Sequence, residues 1–242
     1  MTPDEHIAHL ERDGALLAVA ADHAGWDAAV PGTQWDVRAL VTHTGGVHRW
    51  AAGVVRDGAK SGDTAEGRAV GTGPGDGELL AWFREGHRAL VHALRTAAPD
   101  VDCLTFLPAP SPLAFWARRQ AHETAVHRAD AEAARGGVTP FDTEFAQDGC
   151  AEMLLGFAAR KGNAIDRAAT IALRPSDDGA PWLVTLGGER IVSEQRAGDG
   201  DVVVTATSSD LYLWLWNRPS AVTVGGDPAI AELWRTVRVR WG

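Results

Sequence analysis

The sequence predicts an α+β protein in which a bundle of four helices precedes a smaller domain of mixed strands and helices. Two contrasts along the chain carry that expectation. The first half holds long stretches whose apolar residues recur at helical spacing, separated by proline- and glycine-rich breakers. From about residue 167 the chain changes to short β-branched runs parted by turn residues. A third observation concerns function: all nine histidines lie between His6 and His127, and residues 128–242 contain none.

The elements follow in order. Residues 4–24 place Ile7, Leu10, Leu16, Leu17 and Val19 at helical period. After Pro31 and Gly32, residues 36–56 set Val37, Leu40, Val41, Val47, Ala51, Val54 and Val55 on one stripe. Residues 56–77 form a long glycine-rich loop, and a third helix is expected over 77–97. Four prolines in "PDVDCLTFLPAPSP" break it. A fourth helix starts at Pro112, a favourable first-turn residue, and stops near Gly136–Gly137. Four helices with one-sided apolar stripes bury them by packing together as a bundle.

The boundary falls in "GVTPF", so the expected domains are residues 1–139 and 140–242. A helix over 142–161 leads to "RAATIALRP", "PWLVTL", "ERIVSEQ" and "DVVVTAT", read as four strands. "SSDLYLWLWNR" reads as a helix capped by Ser208 or Ser209, with its aromatic face in the core. "VTVGGDPAIAELWRTVRV" supplies a last strand and helix.

Composition excludes several classes. The net charge is −9, with 23 basic against 32 acidic residues, which argues against nucleic-acid binding. No run approaches the roughly 18 apolar residues of a membrane span, and "MTPDEHIAHLERD" lacks the basic-then-apolar pattern of a signal peptide. Cys103 and Cys150 stand far apart without a CxxC partner, which fits two reduced thiols and a cytoplasmic protein. "GTGPGD" lacks the lysine of a phosphate loop, and no GxSxG or Cys/His nucleophile pattern occurs.

The informative stretch is "AHETAVHRAD", residues 121–130. Counted at 100° per residue from Leu113, Glu123 falls at about 280° and His127 at about 320°. That is the face shared with Trp116, Gln120, Ala131 and Ala134. His122 falls at about 180° and is expected to face water. Residues four apart lie about 5–6 Å from each other at Cβ, a spacing that suits two ligands on one cation. The alternative is a buried Glu–His hydrogen bond, or a Glu–Arg pair with Arg118 or Arg119. Without such partners, burial of these groups costs several kcal/mol. His43 and His48, in "THTGGVHRWA", are third-ligand candidates that helical geometry does not separate. His87 and His92 are expected to be packing or surface residues. Asp130 is either an acceptor for the His127 ring N–H or, the preferred reading, a solvated acid near the helix end.

"WDVRALVTHTGG", followed some eighty residues later by "ETAVHRAD", resembles the mycothiol-dependent maleylpyruvate isomerases and their relatives. The resemblance implies a DinB-like four-helix bundle joined to a sterol-carrier-like α+β domain. It implies a divalent metal, typically Zn2+, whose first ligand stands eight residues after the helix-opening tryptophan. Counting from Trp35 gives His43. Glu123 and His127 match the other two ligands. Arg218, in "WLWNRPS", matches an arginine that reaches the family's active site, where it would neutralise a substrate carboxylate.

The expected protein is therefore a metal-dependent enzyme using mycothiol, a low-molecular-weight thiol, for isomerisation or S-transfer on a small electrophile. Its partners are that substrate and the thiol, with no nucleic acid or membrane, and it is a monomer or homodimer. Two rivals remain: a small-molecule hydrolase using metal-activated water, and a non-catalytic binding or regulatory protein with a vestigial site.

Overall fold

A computed structural model of the chain describes residues 1–238. They fall into two compact units, one ending at Thr139 and the other beginning at Pro140. Val239, the final residue of the last stretch read above, lies outside the described residues, as does the end of the expected 140–242 domain.

The first unit is built on α1 (Pro3–Ala24), α2 (Val37–Asp57), the short α3 (Ala65–Arg68), α4 (Asp76–Thr96) and α5 (Pro112–Ala133). Each long helix begins where the local chemistry dictates. Thr2 and Glu5 form a reciprocal capping box ahead of α1. The Asp36 carboxylate accepts the Ala39 N–H at 2.7 Å to open α2. Ser111 accepts the Ala114 N–H at 3.1 Å ahead of Pro112. Such caps contribute roughly 1 kcal/mol each. The glycine-rich loop carries α3 but otherwise has the irregular structure its composition predicts.

The core forms where Leu17 and Ala21 of α1, Val37, Leu40 and Val41 of α2, and Leu79 and Phe83 of α4 meet. One close approach shapes it. A Cβ on Gly14 would stand 2.3 Å from the His87 ring, so only glycine lets that imidazole lie against α1. The ring stacks on Phe83 at 6.2 Å, and its Nε2 lies 3.3 Å from the Glu11 carbonyl oxygen. His87 is thus a packing residue, while His92 is exposed.

The helix α5 departs from the one-sided stripe. Every residue from Arg119 to Glu132 is buried. Consequently His122, expected in water, is 0% exposed, its ring centroid 5.9 Å from that of His6 on α1. The wheel gives relative directions only, and α1 packs along the side it had assigned to solvent.

The second unit opens with α6 (Thr143–Ala151), which widens into a π-helical turn over Glu152–Phe157. Strands β1 (Ala169–Pro175), β2 (Trp182–Leu186), β3 (Val192–Glu194), β4 (Val202–Ala206) and β5 (Thr223–Gly226) form one sheet ordered β3-β2-β1-β4-β5. β1 and β4 run parallel, and the other neighbours are antiparallel. Period-two alternation sends Ile171, Leu173, Val184, Val202 and Val204 to the covered face, against α7 (Ser208–Leu215) and α8 (Pro228–Leu233). Tyr212, Trp214 and Trp216 are buried, as expected. The cap of α7 differs from expectation: Thr207 still has extended dihedrals, and its Oγ1 accepts the Asp210 N–H at 3.1 Å. Ser208 instead donates its hydroxyl to Asp177 at 2.6 Å.

Gly14→Ala is expected to cost roughly 1–3 kcal/mol by overpacking, read as a lower melting temperature. Adding His87→Ala removes the clashing ring and recovers part of that loss. Equal, additive losses would show that the contact is not the cause.

Candidate metal centre

The site is assembled by α2 and α5. Asp36 starts α2 so that His43 falls two turns in, and "GG" follows directly after Thr44. A Cβ on Gly45 would stand 2.3 Å from the Trp82 ring, so Gly45 lets α2 pack closely against α4, while a Cβ on Gly46 would stand 3.0 Å from the Val70 backbone in the loop. On α5, Glu123 and His127 lie one turn apart and are 4% and 6% exposed.

Three donor atoms converge. His43 Nε2 lies 3.3 Å from Glu123 Oε1, and His127 Nε2 lies 3.2 Å from the same oxygen. Suitable donor atoms of the three residues all fall within 4.8 Å of one another. His43, with its side chain 22% exposed, is the open side of the group. Trp35 walls it, its ring 4.8 Å from that of His43 and 5.7 Å from that of His127.

Both alternatives weighed for Glu123 are present together: it meets the two imidazoles through Oε1, and Arg119 Nη2 donates to Oε2 at 3.3 Å. Asp130 corrects its expected place in solvent. It is 2% exposed and accepts from His127 Nδ1 at 2.9 Å. The same enclosure of α5 that hides His122 takes this carboxylate out of water, where the imidazole N–H is its partner.

His48 is brought elsewhere. Its Nε2 lies 2.8 Å from Thr124 Oγ1, and its ring packs 5.5 Å from Phe83 and 5.3 Å from His87. The five-residue spacing from His43 rotates it about 140° around α2. Arg218 follows α7, its Nη1 donating to the Trp216 carbonyl at 3.0 Å.

Electrostatics separates these groups. Burial favours a neutral Glu123, but the charge of His127, hydrogen bonds from His127 and His43, and Arg119 outweigh it. The carboxyl is held well below its ordinary range. Burial opposes charge on His127, yet Glu123 and Asp130 lift it to about 9. For His48 burial dominates, reinforced by His87, and the ring is held well below its ordinary value. It stays neutral.

Sequence reasoning passed over one part of this centre and left another open between two residues. Trp35 served only as a counting mark: it precedes the Asp36 cap and lies outside α2, so helical spacing gave no signal that its ring would pack against His43. Arg119 was one of two arginines adjacent in sequence, and its spacing of four from Glu123 was the available signal.

A helical bundle with an interior His/Glu/His donor group, joined to an α+β unit, is the class that fold and site define. This chain belongs to the mycothiol maleylpyruvate isomerase family: residues 7–132 match the family's N-terminal domain and residues 144–233 its C-terminal domain. The crystal structure of the mycothiol-dependent maleylpyruvate isomerase is similar in fold, with a TM-score of 0.67 and 15% identity over 93% of each chain. A histidine-to-alanine mutant of that enzyme gives 0.64 and 13%, again over 93% of each chain. No curated protein matches the sequence. Among the described residues, no helix is long and apolar enough to cross a membrane.

In the metal-free chain His127 is expected to titrate near 9, and Asp130→Asn to lower that value, read by NMR titration of the histidine rings. The folded value lies above the unfolded one of about 6.5. The pair's contribution to stability is therefore complete below that pH and lost as pH rises through about 9. The wild-type melting advantage over Asp130→Asn should narrow accordingly in alkali.

Proposed function

We propose that this chain is a metal-dependent enzyme that uses a low-molecular-weight thiol for isomerisation or S-transfer on a small electrophilic substrate. Mycothiol, the thiol in the family's name, is the cosubstrate assigned. The observation that carries the proposal is the convergence of His43 Nε2, Glu123 Oε1 and His127 Nε2 on one partly open point.

The donor set fits a divalent cation. Ligands about 2.0–2.1 Å from a tetrahedral ion stand roughly 3.3 Å apart, close to the 3.2 and 3.3 Å separations here. Two imidazoles and one carboxylate suit zinc, and three protein ligands leave a position for an incoming group. His43, Glu123 and His127 would hold the ion. When bound, it supplies Lewis acidity that keeps a thiol as its thiolate near neutral pH.

The chain's own residues prepare this chemistry. Asp130 holds a proton on His127 Nδ1, which leaves the Nε2 lone pair for the site. Trp35 excludes water from one side of both imidazoles. Cys103 and Cys150 are both buried, and burial raises both thiols, so neither is a ready thiolate. Nucleophilic sulfur is left to an external thiol. Arg218 is assigned to a substrate carboxylate, a charge-assisted pairing that would orient the electrophile. The reaction is assigned to the cytoplasm, where thiols remain reduced.

Elemental analysis tests the centre. Near-stoichiometric metal is expected in the wild type and in His48→Ala, and is lost in His43→Ala, Glu123→Ala and His127→Ala. Metal retained in those last three would reject the site. Turnover of a small electrophile should require added thiol. Turnover that persists without thiol would point to metal-activated water instead.

A further inference from the structure

We infer that Arg119 is a positioning residue that restricts Glu123 to one coordinating oxygen and so biases the centre toward cations of low coordination number. This rests on the metal reading above. Its basis is the division of labour between the two oxygens of a single buried carboxylate. Oε1 faces both imidazoles, at 3.3 Å from His43 and 3.2 Å from His127. Oε2 turns the other way and accepts from Arg119 Nη2 at 3.3 Å.

The environment makes this arrangement hard to undo. The Arg119 side chain is 0% exposed, one turn before Glu123 on the same helix. In so dry a setting a charge-assisted hydrogen bond is stronger than at a surface, and water cannot replace it. For Glu123 to chelate a cation through both oxygens, Oε2 would have to leave the guanidinium. Two-oxygen carboxylate ligation suits larger ions with six or more ligands, whereas four-coordinate zinc suits a single oxygen. The fixed positive charge also draws density from the carboxylate and discourages a close second contact with a divalent ion.

A merely structural explanation is weaker. A buried ion pair is rarely more stabilising than apolar residues of similar volume, because desolvation offsets the attraction. The pair is also part of a series along one side of α5. Arg119 holds Glu123 Oε2, and Asp130 holds His127 Nδ1. Each tethers the polar atom of a candidate ligand that does not face the centre.

The experiment compares wild type with Arg119→Met and Arg119→Gln after metal removal, with folding checked by circular dichroism. Co2+ uptake is read from its visible absorption, which is intense for four ligands and weak for six. Zn2+ and Mn2+ affinities are measured separately by competition. Wild type is expected to give intense Co2+ bands and a strong preference for Zn2+ over Mn2+. The variants should show weakened bands and a Zn2+ to Mn2+ preference reduced about tenfold or more. Folding variants with unchanged bands and unchanged preference overturn the inference alone. A wild type that takes up no Co2+, Zn2+ or Mn2+ overturns both it and the metal reading. If Arg119→Met does not fold, Arg119→Gln, which keeps a neutral donor, decides the outcome.

Discussion

The carboxylate of Glu123 sits 4% exposed inside a helical bundle, and the arrangement around it follows from keeping it ionised there. An isolated buried carboxylate would take up a proton, because desolvation costs several kcal/mol. Here two imidazoles share one oxygen and a guanidinium holds the other. Each partner must in turn be satisfied, which accounts for Asp130 on the far nitrogen of His127. The requirement spreads from one side chain into a network running along α5 and across to α2.

The bundle supplies the rigidity such a network needs. The Asp36 and Ser111 caps set where α2 and α5 begin, and hence which residues face each other. Gly45 lets α2 approach Trp82. Next to the centre, His48 bonds to Thr124 and packs near Phe83 and His87, a neutral polar group within the apolar core. The two histidines of α2 thus have separate work. One belongs to the donor group, and the other helps to lock α2 against α4 and α5.

Much of the fold was legible from pattern. The four long helices begin within a residue or two of where apolar period and breakers put them, and the five strands match the β-branched runs. These features are local: spacing along the chain, capping chemistry and turn residues decide them. The misreadings share a different cause. His122 was assigned to water because a helical wheel assumes one buried face, and Asp130 because it stands near the helix end, whereas α5 is enclosed from Arg119 to Glu132. Thr207 rather than either serine caps α7, because the chain turns out of its extended conformation one residue earlier.

The sequence alone determined that Glu123 and His127 share a face of one helix, since a spacing of four residues and 100° per residue leave no other outcome. It also determined that His43 and His48 diverge. Which of the two meets the pair depends on the rotation and register of α2 against α5, and only the packed bundle decides that. The fate of Arg119 was likewise tertiary. An arginine four residues before a glutamate is ordinarily a solvated surface pair, and it becomes a fixed tether only when neighbouring elements remove the water from both.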